Sequence, residues 1–238
     1  MKSRSFTLIE LIFVIVISSL LGIAVMNFPD NSLSLARDQL MKDIRLTQTL
    51  ALLDDKYLDR NTTSDLKNIN RSKFWFKSFW QVQIQTSYQN IYYSIYSEEP
   101  AKSGKYSFIP AQSEVSLNSL TQKYMSGKWS ESNKNEYSTN LNLTLEYEIT
   151  SIQYFFIASK HNGKENKLNI IFDNFGRPYI LESINGITQS SLQTYATLHP
   201  FKYLLQEPVQ IKIVRENDET CFNLEPISGY IHIKNCIF

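Results

Sequence analysis

Glycine and proline are scarce in this chain, seven of each in 238 residues. That shortage excludes a collagen-like repeat and argues against a low-complexity, disordered polymer. An excess charge of one sign is also missing: 24 lysines and arginines stand against 23 aspartates and glutamates, a formal net charge of +1. Without a basic excess there is no electrostatic case for nucleic acid as the main partner. Cysteine is nearly absent, with Cys221 and Cys236 alone near the C-terminus. Such a pair reads as one disulfide outside the cytosol and as two ordinary thiols inside it.

Signatures of chemistry are lacking too. There is no Gly-rich phosphate loop, nucleophile elbow or zincin motif. His161, His199 and His232 are far apart, with no Cys, Asp or Glu at ligand spacing. No cofactor, no metal and no enzymatic activity are therefore expected. The acidic run "RENDE", Arg215 to Glu219, lacks a calcium-ligand spacing and reads as a solvated hairpin turn. "DRNTT" holds an N-x-Thr sequon at Asn61, and its reading is a polar loop. "KFWFKSFW", Lys73 to Trp80, interleaves bases and aromatics, but its alternation turns the rings inward as sheet core rather than toward nucleic acid.

What the chain does have is a high aromatic share, 13%, which suits a folded, strand-bearing body. It also has one long apolar run. From Phe6 to Phe28 the polar exceptions are Thr7, Glu10, Ser18, Ser19 and, at the far end, Asn27. About 23 residues at ~1.5 Å each would cross a hydrocarbon core of ~30 Å. Lys2 and Arg4 precede the run and no base follows before Arg37, so the charge bias puts the N-terminus in the cytoplasm. Three readings compete: a secretory signal cut near Gly22–Ala24, a plain membrane anchor, or a leader cut before the run.

Glu10 separates them. A carboxylate in a spanning helix costs about 2.5–3.5 kcal/mol at mid-membrane and marks a pairing site. A cut between Ser5 and Phe6 would expose an α-amino group one helical turn before Glu10. The carboxylate of one subunit would then neutralise the amine of its neighbour.

"SFTLIELIFVIVI" resembles the leader of type IV pilins and pseudopilins, in which a short basic leader and a small residue precede Phe-Thr-Leu-Ile-Glu and a long apolar helix. Ser5 stands where that family usually has Gly. The resemblance implies that a prepilin peptidase cuts between Ser5 and Phe6 and methylates Phe6, and that Glu10 serves subunit docking.

Beyond Pro29, which should end or kink the helix, apolar residues recur at Leu33, Ala36, Leu40, Ile44, Thr47 and Ala51 in steps of three and four. This predicts an amphipathic helix with one buried stripe. Arg37, Asp38, Lys42, Asp43 and Arg45 are expected on its polar side. "LARDQLMKDIRLTQTLAL" resembles the helix of GspH/FimT-type minor pseudopilins.

After a polar loop at 54–72, strands are expected at 79–86 and 91–97 as a hairpin. Further strands are expected at 143–149 and 152–159, across 167–183 with a turn at Asn174–Gly176, and at 208–216. A last hairpin should turn around Ser228–Gly229. Residues 97–142 read as a partly ordered insertion. The last segments resemble the terminal strands of GspH-type proteins. Cys221 and Cys236 bracket the final hairpin, and the C-terminal disulfide loop of many pilins favours their bond.

The expected architecture is α+β, a pilin-like fold whose long N-terminal helix (transmembrane half plus amphipathic half) packs on an antiparallel β-sheet. Its parts are a leader at 1–5, a transmembrane or filament-core helix at 6–28, an amphipathic helix at 29–55 and a periplasmic β-rich domain at 56–238. The implied role is a minor pseudopilin in a type II secretion or DNA-uptake system. Its implied partners are other pseudopilins or pilins, the prepilin peptidase, an inner-membrane assembly platform and membrane lipid. Its implied place is the bacterial inner membrane, single-pass, with the body periplasmic. The alternatives are a surface type IV pilus subunit and a DNA receptor for transformation. The latter type uses a basic C-terminal tail, whereas "HIKNCIF" has only Lys234 as a base.

Overall fold

Alternation of apolar and polar residues sets the strands of the body. The computed structural model of the chain describes residues 8–26, 31–54, 56, 78–87, 90–99, 110–159, 161–163, 167–182 and 204–237. The chain forms two units, Met1–Asn31 and Ser32–Phe238. The first holds α1, Leu8–Met26, a helix of 19 residues.

The second unit opens with α2, Ser32–Leu53, 22 residues long. β1 (Trp80–Ser87) and β2 (Asn90–Ser97) follow as a hairpin with Ile84 opposite Tyr93. A short helix, α3 (Leu143–Tyr147), precedes β3 (Ser151–Phe156), β4 (His161–Gly163), β5 (Lys167–Phe172) and β6 (Pro178–Glu182). β7 (Val209–Arg215), β8 (Asp218–Leu224) and β9 (Ile231–Lys234) close the chain. All pairings are antiparallel, in a four-stranded sheet ordered β2-β1-β5-β6 and a five-stranded sheet ordered β4-β3-β7-β8-β9.

Helix α2 packs against β1 and β5 of the first sheet and β7 and β8 of the second. Ala36, Leu40 and Ile44 of the helix therefore share one core with Val82, Ile170, Ile211 and Phe222. Each fully buried Leu or Ile there contributes about 1.5–3 kcal/mol. Because two sheets are covered, the buried arc also takes in Met41 and Asp43. Asp43, expected on the polar side, is 1% exposed. Its spacing, seven residues after Ala36 and four before Thr47, puts it on the inward arc, and spacing outweighs its charge.

Three expectations are corrected. The pilin-like α+β design, one long N-terminal helix carried on an antiparallel sheet, gives way to two antiparallel sheets and two shorter helices in separate units. Pro29, with no N–H to continue a helical ladder, stands between those helices in the sequence. The single-pass inner-membrane placement is also overturned. Among the described residues no helix is long and apolar enough to cross a membrane.

The third correction concerns "LTLEYEI", whose alternation predicted a strand and which instead forms α3. Asn142 caps the helix by accepting from the Leu145 N–H at 3.1 Å. Glu148, at φ 59°, ends it in a left-handed cap. Leu145 points to solvent while Leu143 and Ile149 are buried.

Residues 110–142 run along the outer side of β2. Ile95 N–H donates to Met125 O, Ser116 N–H to Ile95 O and Gly127 N–H to Tyr93 O. An edge that would otherwise offer unpaired groups to another chain is thereby covered. At the opposite edge Leu205 N–H donates to Pro178 O of β6.

Candidate functional site

The residues from Leu8 to Ile17 are long-chain or β-branched apolar side chains broken only by Glu10. Leu8, Ile9, Leu11, Ile12, Phe13, Val14, Ile15, Val16 and Ile17 are each at least half exposed, from 50% to 78%. No face of this stretch is polar enough to be the solvent side of an amphipathic helix. Glu10 lies in the first turn of α1, also exposed. There it meets the positive end of the helix dipole, which favours a carboxylate by roughly 0.3–1 kcal/mol. Ser19 returns its hydroxyl to the Ile15 carbonyl at 2.7 Å, so its polar group is satisfied within the helix. The cleavage and methylation positions, Ser5 and Phe6, lie outside the described residues.

In the body, the two sulfurs are joined as Cys221–Cys236, linking β8 to the tail beyond β9. The Gln210 amide holds that tail as well, donating to the Asn235 carbonyl and accepting from the Ile237 N–H at 2.9 Å. Sequence reasoning placed the cysteines correctly and missed the Gln210 clasp, which no local pattern announces.

The other candidates separate in space. His232 stacks on Tyr230 and sits 3.7 Å from Glu225. The side chain of His161 is not described and His199 lies outside the described residues. Among the described residues no group of three His, Cys, Asp or Glu is placed to hold a metal. The "RENDE" turn joins β7 to β8, with Lys212 paired to Glu219 and Arg215 to Glu148, both at 2.7 Å. Of "KFWFKSFW" only 78–80 are described: Phe79 is buried near Tyr179, and Trp80 donates to Asp54 at 2.9 Å. Asn61 lies outside the described residues.

Buried polar groups are more numerous than the alternating pattern implied. Across β2, β1 and β5, Tyr92 donates to Gln85, and Gln85 to Gln83. Gln83 donates to Tyr96 and Asn169, and Asn169 to Gln81. Satisfied in this way, the amides cost little and fix strand register. Beside them burial draws the Lys167 ammonium down to about 8, against the opposing pull of Glu98. Asp43 is the one buried carboxylate of α2.

Comparison with family models, with curated proteins and with solved structures finds no match.

Proposed function

We propose that this chain is a structural subunit of a pseudopilin-type filament, serving a type II secretion or related DNA-uptake machine, and not an enzyme. The observation that carries the reading is the α1 surface: nine large apolar side chains from Leu8 to Ile17, all exposed, with Glu10 as the single charge. An apolar surface of this continuity is covered by a partner in the working state. A neighbouring copy or another pseudopilin offers the same kind of surface, and a helix bundle built this way would bury it. Glu10 would meet the Phe6 amine released by a prepilin peptidase, which sets register between subunits. The resemblance of "SFTLIELIFVIVI" to processed pilin leaders supports this cut.

The test joins two measurements. Mass spectrometry of the native polypeptide should find Phe6 as a methylated first residue. Glu10→Ala and Glu10→Val should each abolish co-assembly, read by cross-linking, and the function of the associated machine. A terminus elsewhere, or assembly and function intact in both variants, overturns the proposal.

A further inference from the structure

The seam between α2 and the body holds a carboxylate with neutral partners. Asp43 is 1% exposed and its Oδ2 accepts from the Tyr93 hydroxyl at 2.7 Å and from the Gln39 amide at 2.8 Å. Tyr93 comes from β2 and is itself completely buried. The titratable groups that bear on Asp43 are Tyr93 from β2, Tyr147 from α3 and Lys42 from its own helix. Among the described residues no ion pair within 4.0 Å includes Asp43. Burying an ion without a counter-ion is costly, whereas the neutral acid keeps both hydrogen bonds at far lower cost.

We propose that Asp43 is a proton-dependent latch: the body grips α2 more tightly when this carboxyl is neutral and loosens as it ionises. The latch belongs to the body alone and does not depend on the filament reading. Burial raises the Asp43 pKa from 3.8, and the Tyr93 and Gln39 hydrogen bonds only partly oppose this. The hydroxyl of Tyr93 is held well above its ordinary range by burial and by Asp43, so it remains a donor while Asp43 titrates. A group whose folded pKa lies above its unfolded value contributes most stability below the unfolded pKa, and loses that contribution as pH rises through the folded one. Within that window the folded-to-unfolded ratio falls by up to about tenfold per pH unit on account of Asp43.

The experiment follows the full chain by urea unfolding between pH 4 and pH 8, wild type beside Asp43→Asn. Asparagine keeps the shape and cannot ionise. The wild-type midpoint, taken relative to the variant, should fall as pH rises. A constant or rising difference overturns the latch. Should Asp43→Asn not fold, the Asp43 carboxyl carbon is followed by NMR in the wild-type protein. A titration midpoint above the usual aspartate range upholds the proposal, and one at or below it overturns it.

Discussion

The side-chain amide of Gln48 donates to the carbonyl of Gly176 at 2.8 Å, and the same nitrogen reaches the Ser228 carbonyl at 2.8 Å. One residue of α2 thus ties the β5–β6 turn of the first sheet to the β8–β9 turn of the second. Gly229, at φ +62°, is seated against this nitrogen: a Cβ built there would lie 2.6 Å from Gln48 Nε2 and 3.0 Å from the Gly176 carbonyl oxygen. Gln48→Ala should cost about 1 kcal/mol per hydrogen bond lost. Gly229→Ala should cost about 1–2 kcal/mol from the left-handed backbone alone, plus the displacement of Gln48. Combining the two should cost less than the sum, because the first removes the group that the second collides with. Urea midpoints of the four proteins in the cycle check this.

Gly127 predicts a different failure. A Cβ at this position would stand 2.3 Å from the Leu141 carbonyl oxygen and 2.7 Å from the Asn142 nitrogen. Both are backbone atoms, with no flexible side chain to give way. Gly127 N–H also donates to Tyr93 O, one of the bonds that lay the 110–142 segment along β2. Gly127→Ala should therefore lose roughly 1–3 kcal/mol through overpacking and expose the β2 edge. Faster exchange of the Ile95 and Ser116 amides, with increased self-association in sedimentation, is the expected reading.

Much of this architecture was legible because strand periodicity is local. The hairpins β1–β2, β5–β6 and β8–β9 join neighbours in sequence, and Gly176 and Gly229 mark two of their turns with positive φ. The division into two sheets was not legible. It depends on β1 pairing with β5 and β3 with β7, which are contacts between distant segments. The same division widens the inward arc of α2, so Asp43 was assigned to solvent on its charge when its spacing pointed inward. At "LTLEYEI" apolar alternation suggested a strand, and the Asn142 cap with the Glu148 left-handed end decided for a helix. For the candidate site, the apolar run and Glu10 were visible as composition. That no helix among the described residues is long and apolar enough to cross a membrane emerged only with the structure.

Asp173 should be among the least replaceable side chains of the body. It is 1% exposed; one oxygen accepts from the Phe175 and Arg177 amides, and the other from Arg177 Nε at 2.7 Å and the Tyr179 hydroxyl at 3.0 Å. Four donors converge on one carboxylate, so its removal leaves several of them unsatisfied at once. Asp173→Ala should destabilise by about 3–5 kcal/mol. Asp173→Asn, which keeps one acceptor oxygen, should lose less. Arg177 is partly exposed, so Arg177→Ala should be the mildest of the three. Thermal unfolding of these variants gives the order, and an Arg177 effect equal to that of Asp173 would show that the ion pair, not the backbone turn, dominates.

The Cys221–Cys236 bond spans 15 residues, and a closed loop of that size stabilises by about 3 kcal/mol on the chain-entropy model. Its effect on the native state should be confined to the tail, because β8 is also held by β7 and the tail is also held by Gln210. Cys221→Ser with Cys236→Ser should therefore lower the unfolding midpoint while leaving the strand amides of β7 protected from exchange. Adding Gln210→Ala to that double variant should free residues 235–237, because both restraints are then gone. Hydrogen exchange at Ile237 N–H distinguishes the cases: protected in wild type, partly protected with the disulfide removed, and fully exchanging when the Gln210 clasp is removed as well. Full exchange on loss of the disulfide alone would mean that the sulfur bridge, and not the amide clasp, holds the C-terminal tail in place.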